Sequence, residues 1–244
     1  ISVPFEGVVA EIMRSVNQRH WGVVLKRQML KAASDIAAAN NAAGLVTGDA
    51  VAQVSSQTLS NLNVVDRASN EVVLRPLISM DKETIINIAR DIGTEPFART
   101  MPEYCGVISR KPATRAKLHR VEEDEAAMDA RVLEQAIASR QDTPVNRLLE
   151  TTRTPEEVEL VHTPAVNDVI IDVRHPSEGE QSPLQLTSNQ VVEIPFYELN
   201  ERIQSMPDDK QYLLYCDRGT MSRMHACHLK AEGHTNIKVY APAN

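Results

Sequence analysis

The stretch Tyr215-Cys216-Asp217-Arg218-Gly219-Thr220-Met221-Ser222-Arg223 decides how this chain is read. Upstream of it, Gln211 to Tyr215 forms an apolar strand that runs straight into Cys216. Downstream, Met221 to Glu232 has helical spacing and stops at Gly233. A strand–loop–helix of this kind turns backbone N–H groups toward whatever the loop encloses, and the helix N-terminus adds partial positive charge. Arg218 and Arg223 bring two fixed cations. All three effects favour thiolate over thiol at Cys216, and the same cradle would stabilise the anionic terminal sulfur of a persulfide. The plainer reading is a structural cysteine at a strand end. Two arginines, a glycine and two hydroxyl residues in so short a loop weigh against it. A phosphatase loop also competes. Its chemistry needs an arginine six positions after the nucleophile to clamp phosphate in bidentate fashion. Ser222 stands there instead, with the arginine one place later at 223, which favours sulfur over phosphate.

Working outward, Val169 to Arg174, Val191 to Pro195 and Ile237 to Tyr240 read as further strands around the Cys216 loop. Together they make a block of roughly 80 residues, enough for a small α/β domain. Thr151 to Pro164 is a polar, proline-punctuated linker. Thr114 to Arg140 is highly charged, yet Leu118, Val121, Met128, Val132, Leu133 and Ile137 keep a helical stripe. The acidic run Glu122-Glu123-Asp124-Glu125 reads as a solvated helix face.

In the first part, Val3 to Phe5 reads as a strand end and Val8 to Val16 as a helix. Val23 to Ala39 is a longer helix whose apolar stripe is Leu25, Met29, Ala33, Ile36 and Ala37, ended by Asn40-Asn41. Gly44 to Gly48 is a short buried strand, Asp49 to Asn63 a loop with a short helix, and Val72 to Leu77 another strand. Asp81 to Ile92 is a helix with Asp81 as its cap. Strands alternating with helices predict an α/β domain on a parallel sheet. The expected boundaries are a first domain over 1–112, a helical linker over 113–163 and a second domain over 164–244.

Composition narrows the function class. No run approaches the ~18 apolar residues of a membrane helix, and no charged-then-apolar signal opens the chain. Three cysteines in 244 residues, an odd and small number, favour a reducing cytosol, where a disulfide would be catalytic rather than structural. A net charge of -7 argues against nucleic-acid binding by this stretch alone. His225, Cys227 and His228 show helical spacing without an evident fourth ligand, so no metal site is expected. The chain opens on Ile1 and holds only 9 glycines, the pattern of a piece lacking its natural N-terminus.

Three weaker signals lie in the first part. Lys82 falls in the first turn of a helix, where a cation opposes the dipole unless an anion binds there. Lys26 sits near the start of a long helix. Gly48 ends a strand where a ligand could approach the backbone closely. Each alone is as well explained by an exposed or structural residue.

Two resemblances join these signals. Asp172-Val173-Arg174, Ile194-Pro195 followed by Glu198-Leu199, the Cys216 loop and the closing Val239-Tyr240 resemble a rhodanese domain in order and spacing. Across nearly the whole chain, Leu25-Lys26-Arg27, Val46-Thr47-Gly48-Asp49-Ala50, Gln53 to Thr58, Leu74-Arg75-Pro76-Leu77 and Met101 to Gly106 look like the bacterial tRNA 4-thiouridine synthases. That family consists of tRNA sulfurtransferases that also serve thiamine thiazole synthesis. The resemblance implies the C-terminal part of a pyrophosphatase-loop ATP-binding parallel-sheet domain followed by a rhodanese-like α/β domain.

The same resemblance implies the site. Lys26, Gly48 and Gln57 match residues that contact ATP, which with Mg2+ is a co-substrate, and Lys82 matches a lysine that assists adenylation. Cys216 matches the acceptor of sulfur from a cysteine desulfurase, with Arg218, Gly219, Ser222 and Arg223 around it. Cys105 matches the partner that forms a disulfide with Cys216 during turnover. The implied partners are tRNA, the desulfurase and the sulfur-carrier protein of thiamine synthesis, and the implied location is the cytoplasm. The family's glycine- and serine-rich pyrophosphate loop and its N-terminal tRNA-binding domains are expected upstream of Ile1. A stand-alone rhodanese acting without RNA, or an inert docking module, would leave parts of this pattern unexplained.

Overall fold

A computed structural model of the chain describes residues 1–99, 111–145, 158–184, 189–217 and 219–242. It divides into two units, Ile1–Asp142 and Thr143–Asn244.

The first unit is mainly helical. Helix α1 (Glu6–Ser15) buries Val8, Ala10, Ile12 and Met13. Helix α2 (Trp21–Ala39) buries Trp21, Val23, Val24, Leu30, Ala32 and Ala37, and the Trp21 indole donates to the Val16 carbonyl at 2.8 Å. The buried face of α2 is therefore not the expected stripe, since Met29 is 54% exposed. Helix α3 (Leu59–Asp66) packs on α2 through Leu62, Val64 and Val65. Strands β1 (Leu45–Val46) and β2 (Val73–Leu74) pair in parallel, with Val46 opposite Leu74. Gly44 permits their close approach, because a Cβ there would lie 2.8 Å from the Val72 carbonyl oxygen.

These strands are shorter and more open than expected. Val46 is 70% exposed and Leu74 56%. Helix α2 packs on β1, and alternate side chains of both strands, Val46 and Leu74, remain in solvent. Helix α4 (Lys82–Asp91) begins as expected, with the Asp81 carboxylate accepting from the Thr84 backbone N–H at 2.8 Å; α5 (Glu95–Arg99) follows. Val3 to Phe5 is not strand, and the one bridge in that region is between Ser2 and Gln141.

Helices α6 (Leu118–Ala126) and α7 (Arg131–Ala138) fall in the stretch read as a linker, and they pack on α2 and on both α1 and α2 respectively. The reason is partly apolar, Val121 being fully buried, and partly ionic. The acidic run is not uniformly solvated. The Glu125 carboxylate accepts from Arg27 Nε (3.0 Å) and Nη2 (2.9 Å), Gln28 Nε2 (3.0 Å) and Lys31 Nζ (3.0 Å). Burial alone would raise its pKa, but Arg27 and Lys31 outweigh that and keep it below the usual range. Asp124 meets His20 Nδ1 at 2.7 Å.

The second unit is a five-stranded, wholly parallel sheet in the order β3-β7-β6-β4-β5. Its strands are β3 (Leu160–Val161), β4 (Val169–Asp172), β5 (Gln190–Glu193), β6 (Tyr212–Tyr215) and β7 (Ile237–Tyr240). Helices α8 (Pro176–Gln181), α9 (Phe196–Ile203) and α10 (Thr220–Ala231) connect them. All four residues of β4 are buried, as are Tyr212, Leu213 and Leu214 of β6. Such unbroken burial is what a parallel strand covered on both faces requires. Strand β3 lies in the stretch expected to be linker; its two residues pair only with β7. Strand β4 has β5 on one side and β6 on the other, so the winding direction reverses between β4 and β6. The crevice at the C-terminal end of such a reversal is where open α/β sheets place ligands, and Cys216 follows the last residue of β6.

Candidate functional site

Cys216 is a buried thiol, 8% exposed, at that crevice. The chain turns sharply after it, with the Gly219 N–H donating to the Cys216 carbonyl at 3.2 Å. Gly219 adopts φ +70°, a left-handed conformation that costs a side-chain-bearing residue about 1 kcal/mol, and it stands at the N-cap of α10. The turn brings Ser222 under the sulfur. Its backbone N–H donates to Sγ at 3.4 Å, and its hydroxyl lies 3.4 Å from Sγ and 3.2 Å from the Gly219 carbonyl oxygen. Ser222 is fully buried, so its one hydroxyl proton has these two acceptors and no water. With a thiol, the hydroxyl donates to the Gly219 carbonyl and the S–H can donate to Oγ. With an anionic sulfur, the hydroxyl turns to donate to it, joining the N–H. The position where a phosphatase would carry arginine is thus filled by a sulfur ligand.

Arg223 is exposed on the first turn of α10, its N–H bonded to the Gly219 carbonyl at 3.2 Å. Arg218 and Cys105 lie outside the described residues. A further cation beside the loop is Arg174, which sequence reasoning quoted only as part of a motif. Its guanidinium binds both Asp172 oxygens, with Nη2 to Oδ2 at 2.6 Å, and reaches Asp217 Oδ1 at 2.7 Å. It also stacks on the Tyr215 ring, 5.0 Å from the centroid. Pairing with Asp172, against the cost of burial, holds its pKa above the usual arginine range. The Tyr215 hydroxyl donates to the same Asp217 oxygen at 3.2 Å. Asp217, next in sequence to Cys216, is thus held by Arg174 and Tyr215, and Arg174 shares its one positive charge between Asp217 and Asp172.

A second site lies in the first unit, where the parallel strands β1 and β2 end. A cleft of about 420 Å³ is lined by Lys26, Met29, Leu30, Ala33, Leu45, Val46, Thr47, Gly48, Asp49, Gln57, Val65 and Arg75. Lys26, Gly48 and Gln57, named from sequence, therefore share one cavity. Met29 and Ala33, expected to face the core, wall it. A Cβ on Gly48 would meet no atom within 4 Å, so the backbone there is open to close approach. Lys82 is exposed at the start of α4 and is not among the lining residues.

Asp49 and Arg75 were missed as site residues. The signal was available, because Thr47 and Arg75 directly follow the paired residues Val46 and Leu74 and so emerge at the same end of the strands. Asp49, 6% exposed, accepts from Lys26 Nζ at 2.6 Å, Thr47 Oγ1 at 2.8 Å, Gln57 Nε2 at 3.0 Å and Arg75 Nε at 3.2 Å. Burial would raise its pKa, but hydrogen bonds from Lys26, Thr47 and Gln57 and the lysine charge win and hold it at about 2. Among the described residues no group of three or more His, Cys, Asp or Glu is placed to hold a metal, and no helix is long and apolar enough to cross a membrane.

Comparison with known proteins places both units. Residues 155–242 match the rhodanese-like domain, and residues 1–130 match the family Thiamine biosynthesis protein (ThiI). A tRNA sulfurtransferase of Marinobacter nauticus is 77% identical over 243 residues, covering 100% of this chain and 50% of that protein. One from Pseudomonas syringae pv. tomato is 48% identical with the same coverage. The chain thus spans about half the length of the curated relatives it matches. A crystal structure of a 4-thiouridine synthetase–RNA complex with bound ATP superposes with a TM-score of 0.53 at 28% identity, covering 57% of this chain and 37% of that one. With residues 1–130, more than half of the chain, under the ThiI model, this chain belongs to the ThiI family and carries a rhodanese-like domain after it.

Proposed function

We propose that this chain is the sulfur-carrying part of a cytoplasmic tRNA sulfurtransferase that makes 4-thiouridine, with 1–112 as part of its ATP-binding domain, 113–163 as connector and 164–244 as its sulfur domain. The observation that carries the reading is the buried Ser222 cradle beneath Cys216, built to receive an anionic sulfur. The names of the relatives and the ATP in the matched synthetase support the rest.

In this reading a cysteine desulfurase loads Cys216 as a persulfide. ATP, accompanied by Mg2+ on its phosphates and held by Lys26, Gly48 and Gln57, adenylates the O4 of a tRNA uridine with release of pyrophosphate; Lys82 assists. The terminal persulfide sulfur bonds to C4, and the C4–O4 bond breaks as AMP leaves. The Cys105 thiolate then attacks Cys216 Sγ, the bridging sulfur–sulfur bond breaks, and 4-thiouridine departs with its sulfur. A two-electron reductant returns the Cys105–Cys216 disulfide to thiols. Arg218 and Arg223 add positive charge to the persulfide loop. The persulfide also feeds the sulfur carrier of thiamine synthesis. A stand-alone rhodanese would have no use for the cleft that collects Lys26, Gly48 and Gln57.

The test uses the full-length protein with radiolabelled cysteine and a desulfurase. Wild type takes up label and Cys216→Ala takes up none; equal uptake by the variant sinks the persulfide assignment. Lys82→Ala is expected to abolish tRNA adenylation with the circular dichroism spectrum unchanged.

A further inference from the structure

We propose that Asp49 is the positioning residue of the first unit's cleft, setting the donors that meet the nucleotide. The proposal rests on the reading of that cleft as a nucleotide site.

Four elements meet at this one carboxylate. Lys26 comes from α2, Thr47 from the end of β1, Gln57 from the short 3-10 turn Ser55–Gln57, and Arg75 from the end of β2. Each oxygen takes two of them: Oδ1 accepts from Lys26 and Gln57, Oδ2 from Thr47 and Arg75. All four donors line the cleft, yet each is tied on its Asp49 side. Arg75 is tied at both ends of its guanidinium, its Nη1 and Nη2 binding Asp66 at 3.1 and 2.5 Å while Nε holds Asp49. Three of its five N–H groups are thereby taken, and it anchors the carboxylate.

Lys26 and Gln57 differ from Arg75. A lysine ammonium has three donor positions and a glutamine amide two plus an acceptor; Asp49 takes one from each. The remaining groups are presented to the cavity from a fixed side chain. Two cations (Lys26, Arg75) face two carboxylates (Asp49, Asp66), so the hub carries no net charge. Its contribution is geometry rather than attraction. Holding Lys26 and Gln57 in place removes the rotamer entropy that binding would otherwise have to overcome.

The experiment is steady-state tRNA adenylation by the full-length protein as ATP is varied, for wild type, Asp49→Asn, Lys26→Gln and the double variant. Cys216 sulfur loading and thermal unfolding are followed in parallel. Asparagine keeps the shape but turns an N–H toward one pair of donors. The Asp49→Asn KM for ATP is expected to rise about tenfold or more, the size expected when a charged hydrogen-bond acceptor is lost, while kcat and Cys216 loading stay within about twofold. Because Asp49 acts through Lys26, the double variant is expected to be no worse than the poorer single one. A KM within about twofold of wild type, or losses that multiply in the double variant, overturns the proposal. Should Asp49→Asn fail to fold, Thr47→Val removes one donor only; a several-fold higher KM supports the proposal and an unchanged one overturns it. A wild type that shows no saturable ATP dependence removes the nucleotide reading, and the proposal with it. A saturable wild type with an unaffected Asp49→Asn removes the proposal alone.

Discussion

The two sites are built on opposite plans. Around Cys216, the turn is closed by residues within six positions: Gly219 and Ser222 both fold back onto the cysteine. Around Asp49, Thr47 is two positions away but the other three partners lie 8, 23 and 26 positions away in sequence, and the first unit's other polar hub, Glu125, draws on residues more than 90 positions distant. The first plan needs only a strand, a turn and a helix in order. The second needs the whole unit folded before any of it exists. A local site can keep its geometry while its surroundings breathe, whereas a long-range one reports the integrity of the entire unit.

The largest effect should come from breaking the long-range plan. Glu125→Ala leaves the buried Arg27 guanidinium without its counterion and is expected to destabilise the first unit by about 3–5 kcal/mol. Trp21 is the single tryptophan and sits in that unit, so its fluorescence reads the loss. Sulfur loading at Cys216 at temperatures below the transition should be unchanged; a parallel loss would show that the units do not hold independently.

Acid separates them next. Burial, with a smaller push from His228, lowers His225 to about 4, and its Nε2 is buried without a partner. The folded second unit therefore resists protonation that the unfolded chain accepts. The contribution of neutral His225 is complete above about pH 6.5 and is lost as pH falls toward 4, on the order of 3 kcal/mol at most. His175 shifts the same way, its burial outweighing Glu178 and Glu180. Asp49, at about 2, gives stability that is complete above pH 3.8 and lost only below it. Urea midpoints between pH 6.5 and 4 should fall for the second unit, read by Cys216 alkylation, more steeply than for Trp21. A steeper fall at Trp21 would reverse the comparison.

Smaller changes probe the local plan. Ser222→Ala removes the hydroxyl but keeps the backbone N–H, and should slow persulfide loading about tenfold, the worth of one hydrogen bond to an anion. An unaltered loading rate would leave the backbone alone as the cradle. Gly219→Ala should cost about 1 kcal/mol through its left-handed φ, with a lower unfolding midpoint and an intact first unit.

The same contrast governs what could be read from sequence. Strands β4 to β7, the α10 helix and the Cys216 turn were legible because their residues are consecutive and their apolar runs unbroken. The α2 helix was legible, but its buried face was not: Met29 and Ala33 are apolar because they wall a cleft, and Arg27 and Gln28 are buried because Glu125 meets them. The acidic run misled for the same reason, as charge alone does not show which carboxylate has a partner across the fold. Strand β3, two residues long, had no pattern to find. Asp49 and Arg75 lay inside stretches already quoted, yet their shared role exists only once β1 and β2 are in register.

One feature of the Cys216 loop reaches beyond catalysis. Ser222 has a single proton and two acceptors, the Gly219 carbonyl and the sulfur. The loop therefore registers charge on Sγ: a thiol leaves the carbonyl with both the Ser222 hydroxyl and the Arg223 N–H, a thiolate leaves it the N–H alone. The ionisation of Cys216 is thus written into the amide vibration of one glycine, where an isotope label at Gly219 would read it without touching the sulfur.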